Sequence, residues 1–296
     1  MNDLIKKTSS EILACLTIDD ALIKPKYGFL NYEKLLEEMK EHKFFTEIAF
    51  IPWNYKRSNP VTIKLLADNP DHYGVCIHGC IHTHSEFGDS NYMNLSNLLS
   101  RALWFMEQHK EITGLDYDPV MVFPQGLFSS VAMKALKDKG YRAAFNTTLK
   151  AVDKGNIPQD EYLKPASTIY HGFPLFQRRY PQDRSGFKKD IENGRPIIIV
   201  DHHGLFKNGY KTITDLVDWI NEQGEIKWTS LGKIADYYFS NDCVIDRKHL
   251  VPPSNYLYKE WKVYLRRHLS EIRDNYVETK SLLSRLYKVL RDKKLI

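Results

Sequence analysis

Two adjacent carboxylates close the first hydrophobic run of the chain, Cys15-Leu16-Thr17-Ile18-Asp19-Asp20. About sixty residues later a second apolar run ends in His78-Gly79-Cys80-Ile81-His82. An Asp-Asp pair and an H-x-x-x-H pair at strand ends can together supply three ligands to a divalent metal. They leave one carboxylate free as a base, which is what hydrolysis of an amide or ester by metal-activated water requires. A regular strand would send neighbouring Asp side chains to opposite faces, so both reach one pocket only where the backbone turns at a strand end. A cation beside them would keep both ionised against their mutual repulsion. His84 and Glu86 follow directly, and three histidines within seven residues on one loop point to a metal or catalytic site. His78 and His82, spaced by four, would face together on a helical turn. His84 is an alternative ligand, and Glu86 is a candidate substrate contact or support for a ligand.

These side chains need elements to carry them. Short runs that are apolar on both faces predict buried strands over Ile12–Ile18, Phe44–Pro52, Tyr73–Ile77, Pro119–Phe123, Ala143–Thr147, Thr168–Phe176 and Arg195–Val200. Helical periodicity lies between them, over Asn31–Lys43, Leu95–Glu111, Ser129–Lys139 and Thr212–Gln223. The alternation predicts an α/β protein, either a parallel barrel or a doubly wound sheet. Asp19-Asp20, Trp53-Asn54, His78 with His82, Pro124-Gln125-Gly126 and His202-His203 each fall just after a strand. Only a barrel gathers all such positions at one mouth, so a (β/α) barrel of about seven parallel strands is expected.

The chain divides into a barrel over residues 1–250 and a basic amphipathic helical extension over 251–296, marked by Val251-Pro252-Pro253. The stretch after residue 254 carries about six net positive charges against a formal +5 for the whole chain, so the remainder is near neutral. That distribution excludes a uniformly basic nucleic-acid binder. The extension is expected to pack on the barrel, to mediate self-association, or to rest peripherally on anionic lipid. The four cysteines are scattered, which argues for free buried thiols over a disulfide framework. A thiolate site using Cys76 and Cys80 is the lesser alternative. With no signal-peptide core and no spanning apolar run, the default expectation is a soluble cytoplasmic protein.

Thr17-Ile18-Asp19-Asp20 resembles the T-F-D-D motif of NodB-type polysaccharide deacetylases, a carbohydrate esterase family with a distorted (β/α) barrel. His78-Gly79-Cys80-Ile81-His82 is similar to that family's H-[ST]-x-x-H motif, with Gly in its second position. Val122-Phe123-Pro124-Gln125-Gly126 resembles its R-P-P-Y-G wall only at Pro124 and Gly126. Ile198–His203 resembles its late strand ending in a histidine. The resemblance implies Asp19 as general base, with Asp20, His78 and His82 holding the metal, usually zinc, although another divalent ion is compatible with the ligand types. It also implies His202 or His203 as proton donor to the leaving group, with strand alternation favouring His202. The backbone N–H of Gln125 would help stabilise the oxyanion, beside Gly126.

The implied activity is removal of an acetyl group from an N-acetylated sugar or glycan precursor, with no action on peptide bonds. Trp53, Phe87, Tyr180 and Phe206 are candidates to stack on a sugar, and Arg178 and Arg179 to hold a phosphate or carboxylate. Two departures matter. Val122 stands where the family has the Arg that braces the base, and the family's aromatic loop with Asp and Trp has no clear counterpart near Thr168–Pro181. They motivate the alternative of a non-catalytic carbohydrate-binding or scaffold protein that keeps barrel and metal. An unrelated metallohydrolase using His82-x-His84 is a further alternative.

Overall fold

The computed structural model describes residues 11–153 and 168–239, with the single positions 245, 250 and 265. Apart from Leu265, the expected C-terminal helical extension lies outside the described residues. Among the described residues eleven strands run in chain order: β1 Ile12–Asp19, β2 Lys26–Tyr27, β3 Leu30–Asn31, β4 Thr46–Phe50, β5 Tyr73–His78, β6 Asp118–Val122, β7 Ala144–Asn146, β8 Thr168–Tyr170, β9 Phe173–Gln177, β10 Ile197–His202 and β11 Ile226–Trp228. The helices are α1 Tyr32–His42, α2 Pro60–Ala67, α3 Tyr92–Thr113, α4 Ser130–Asp138, α5 Arg184–Glu192, α6 Lys211–Asn221 and α7 Leu231–Tyr238.

The main sheet runs β10-β1-β4-β5-β6-β7-β9, all parallel neighbours, with β8 antiparallel beyond β9 and β11 paired to the start of β1. Just past β9 the chain returns to β10. Arg179 N–H donates to Ile198 O at 2.8 Å, and Val200 N–H donates to Arg179 O at 2.9 Å. That single bridge joins the two ends of the parallel array, so closure is thin at this seam and continuous elsewhere.

Strand alternation sorts the core into two. Ala14, Leu16 and Ile18 of β1 pack outward with the surrounding helices. Leu13 and Cys15 belong to a second, inner cluster with Ala49, Cys76, Val120, Val122, Phe145, Phe176 and Ile198, to which α7 adds Leu231, Ile234, Ala235 and Tyr238. The inner file of β1 therefore reads Leu13, Cys15, Thr17, Asp19, and leads from α7 to the carboxyl end of the strand. Cys15 and Cys76 are buried free thiols, raised by burial and then by the nearby Glu47 and Asp118, so they stay protonated and apolar in character.

The predicted Thr168–Phe176 strand is instead a hairpin. His171 and Gly172 both take positive φ, 52° and 70°, and turn β8 back on β9. The helices α2, α5 and α7 lie outside the periodic segments expected from the sequence. None of the described helices is long and apolar enough to cross a membrane.

Two carboxylates, Glu47 buried and Asp118 half-buried, lie at the α7 end of the barrel. Glu47 accepts from Leu231 N–H at 3.0 Å and Asp118 from Gly232 N–H at 2.7 Å, so both cap the first turn of α7. Glu47 Oε1 has no donor among the described residues. Burial, then Asp118, pushes Glu47 well above the usual carboxylate range, while Leu231 N–H and Lys233 oppose it. A carboxyl raised in the folded state weakens folding as pH climbs from the ordinary carboxylate range through the raised value. Glu47→Gln is therefore expected to match the wild type near pH 4 and to be about 1–3 kcal/mol more stable at pH 8. Denaturant unfolding at the two pH values checks this; equal stability at pH 8 would refute it.

Candidate metal centre and acid–base site

The carboxyl ends of β1, β5 and β10 meet at the open end of the barrel. Asp19 is the last residue of β1, in register with His202 of β10 and Ala49 of β4. Asp20 then takes φ 67°, a left-handed conformation. The turn breaks alternation, so Asp19 stays inside the barrel, 4% exposed, while Asp20 comes over its rim.

His78 ends β5 and is buried. Its Nδ1 lies 3.0 Å from the carbonyl of Val122. A carbonyl only accepts, so Nδ1 carries a proton and Nε2 is the ring nitrogen that faces Asp20. Residue 122, where the resemblance leads one to expect an arginine, here orients the histidine through its backbone.

His82 does not reach the site on a helical turn. Residues 79–83 form an irregular loop in which Gly79 and His82 take φ 67° and 60°. Glu86 fixes that loop: its carboxylate accepts from the N–H groups of Cys80 at 3.1 Å, Ile81 at 2.8 Å and His82 at 3.1 Å. Glu86 thus holds the backbone that carries His82, where a substrate contact was the other expectation.

Asp20 Oδ1 lies 3.4 Å from His78 Nε2 and 3.2 Å from His82 Nε2. It is buried with no hydrogen-bond donor among the described residues. Burial raises the Asp20 carboxyl, but His78, His82 and His202 outweigh it and hold it far below the usual range. Protonated imidazoles can supply that positive charge; with the rings neutral, a cation between them and the anionic oxygen supplies it. Donors about 2.1 Å from a tetrahedral ion stand about 3.4 Å from one another, which matches the observed separations. The residues present fit a divalent ion. Among the described residues, Cys76 and Cys80 join no such cluster.

Asp19 is held differently. Arg178, just past β9 and 3% exposed, grips it with two parallel hydrogen bonds, Nη1 to Oδ1 at 2.7 Å and Nη2 to Oδ2 at 3.0 Å. Nη1 also donates to Thr17 Oγ1 at 3.0 Å, and Thr17 in turn donates to Ile199 O at 2.8 Å. Burial raises Asp19, but Arg178, His78 and His202 together hold it below its ordinary value, ionised at neutral pH. His202 stands over the pair, with Nε2 3.8 Å from Asp20 Oδ2 and Nδ1 4.0 Å from Asp201 Oδ1. Its side chain is 44% exposed, open to an incoming group. His203 turns away, edge-on to Tyr27 at 5.1 Å.

Several expected ligand contacts lie elsewhere. Both arginines are engaged by protein carboxylates, Arg178 as above and Arg179 by Asp190 and Asp183, so neither heads an anion pocket. Trp53 packs its ring edge on Phe105, 5.5 Å away, and Phe87 and Phe206 are buried. His84 and Gln125 are exposed at the rim, with Gln125 Oε1 accepting from Ser85 N–H at 3.4 Å. Pro124-Gln125-Gly126 forms a turn kinked at Gln125, which takes φ 56°, and Asn146 donates to Gly126 O at 2.9 Å.

No protein-family model matches the sequence, and no curated protein matches it. Among solved structures, a Mycobacterium smegmatis protein described as a polysaccharide deacetylase is 13% identical with a TM-score of 0.53, covering 85% of this chain and 96% of its own. The chain has the polysaccharide-deacetylase fold. Also similar are the peptidoglycan deacetylase PdaC from Bacillus subtilis, 12% identical over 76% of this chain and 91% of its own (TM-score 0.45), and a family 4 carbohydrate esterase pseudoenzyme from Bacillus anthracis, 13% identical over 77% and 66% (TM-score 0.46).

On the polysaccharide-deacetylase fold, the glycine in the second position of the histidine motif has a local cause. Gly79 has φ +67°, and a Cβ there would lie 2.4 Å from Pro124 Cγ and 2.5 Å from Glu86 Oε2. Placing Ser there, as in the motif it resembles, should therefore harm this chain. Gly79→Ser is expected to cost about 1 kcal/mol in backbone strain alone, with more from the clash. It should also weaken binding of a divalent ion about tenfold or more by displacing the Glu86 cradle. Thermal unfolding and a chelator competition titration check it; wild-type values in both would refute it.

Proposed function

We propose that this chain is a metal-dependent deacylase that removes an acetyl group from an N-acetylated sugar or glycan precursor, with zinc as the ion. The observation that carries the reading is the division of labour within Asp19-Asp20. One carboxylate is aimed with two imidazoles at a cation position, and its neighbour is held ionised by Arg178 beside it. When bound, a divalent ion supplies Lewis acidity, polarising the acyl carbonyl and lowering the pKa of water.

The chain's own residues do the rest. Asp19 accepts the proton of the attacking water. Arg178 and Thr17 keep its carboxylate oriented, and both its oxygens remain hydrogen-bonded. The Gln125 N–H, on a left-handed turn at the rim, donates to the oxyanion. His202, backed by Asp201, delivers a proton to the departing amine or alkoxide.

The case for a non-catalytic barrel rested on the missing arginine at Val122 and on the missing aromatic loop with Asp and Trp. Arg178, just past β9, supplies the first of these to Asp19, which favours catalysis; the second departure stands. Incubating the zinc-loaded protein with tri-N-acetylchitotriose and assaying acetate tests the reading. Metal-dependent release supports it. No release from this or other N-acetylated sugars, with the ion bound, would return the choice to a binding protein.

A further inference from the structure

The barrel mouth carries an aromatic feature that the acid–base chemistry does not use. A few residues after Asp20 the chain forms the β2–β3 hairpin, with Gly28-Phe29 at its tip. The tip lies on the imidazole of His203, the residue following His202. Gly28 has φ +57°, and a Cβ there would fall 2.2 Å from His203 Nδ1. Only glycine allows this contact. Tyr27 meets His203 edge-on at 5.1 Å, and Phe29 lies at 6.1 Å with its ring inclined by 31°.

The hairpin is held in place from below. Asn31 N–H donates to the Tyr210 hydroxyl at 3.0 Å, and that hydroxyl donates back to Asn31 O at 2.9 Å. Phe29 is 36% exposed, whereas every other phenylalanine of the chain is buried. An aromatic ring kept open to solvent on a fixed hairpin, against the residue that follows the proposed proton donor, is placed to meet a ligand. Its face carries negative partial charge and complements the C–H hydrogens on the apolar face of a pyranose. A preordered ring also loses little entropy on binding.

We propose that Phe29, supported by His203 and Tyr27, is a stacking platform for a pyranose ring adjacent to the one deacetylated, so the site takes a short N-acetylated oligosaccharide. This rests on the functional reading above, and two readouts separate the two. Binding of tri-N-acetylchitotriose to zinc-free protein, followed by NMR shifts, reports the platform without turnover. Acetate release by the zinc-loaded protein reports the chemistry. Wild type should bind, and Phe29→Ala should bind about tenfold more weakly while Phe29→Tyr retains affinity, tenfold being about one stacking contact. Gly28→Ala should reproduce the loss, with thermal unfolding showing that each variant is folded. Binding by wild type without acetate release would fail the deacetylase reading and leave the platform standing. No binding by wild type, equal binding by Phe29→Ala, or a dimer lost on Phe29→Ala in sedimentation would overturn the platform.

Discussion

Replacing Asp19 with Asn is expected to lower acetate release about a thousandfold while zinc content stays at the wild-type level, since loss of a positioned proton acceptor typically costs 10²–10⁴-fold. The substitution keeps the shape of the side chain and one oxygen for Arg178, so the buried pocket stays filled. It removes the only group at that position able to take a proton from water. Asp20, His78 and His82 are untouched, and their convergence on one point does not depend on the Asp19 charge. Asp20→Asn should behave differently, losing metal and activity together. Kinetics with metal analysis on both variants separates the roles. An Asp19→Asn protein within about tenfold of wild type would remove Asp19 from the mechanism.

Arg178→Met should be at least as damaging, and for a different reason. It leaves a carboxylate buried inside the barrel without its cation, a change that typically costs about 3–5 kcal/mol. The pH dependence should change in a definite direction. In the wild type the opposing charges outweigh burial, so Asp19 sits below its ordinary value. Its contribution to stability is then present above the unfolded-state value and is lost only as pH falls through the depressed one. Without Arg178 burial is the dominant influence and the carboxyl moves up. The acidic limb of kcat/KM is expected to shift to higher pH, and stability to fall most near neutral pH, where a charged Asp19 costs most. A pH–rate profile and thermal unfolding across the same range test this. An unshifted acidic limb would show that Arg178 does not control Asp19.

The same pair shows how far the sequence could be read. The doublet and the spaced histidines were legible because each stands at the end of an apolar run, and strand ends in a parallel barrel converge. The partner of Asp19 was not legible. Arg178 lies 159 residues further along, and which of two adjacent arginines faces inward depends on the seam where Arg179 bridges to β10. Read locally, Arg178-Arg179 is a basic turn suited to an anion. In the folded chain one braces the base and the other ties β9 to α5 through Asp190.

Glu86 was legible as a polar neighbour of the histidines but not as the cradle of their loop, because that role depends on backbone N–H directions set by Gly79 and His82. The β8–β9 hairpin did leave a sign. His171-Gly172 within an apolar run is a turn signal that interrupts the strand it seems to extend. The Phe29 platform left none, since an aromatic after a glycine becomes meaningful only once His203 is found beneath it.

The central claim is that Asp20, His78 and His82 together hold one cation beside the ionised Asp19. Anomalous scattering at the zinc edge, from crystals grown with the metal, tests it most directly. The expected result is a single peak about 2 Å from a carboxylate oxygen of Asp20 and from the Nε2 atoms of both histidines, with Asp19 still on Arg178. A peak bounded by other side chains, or none at this mouth of the barrel, would contradict it.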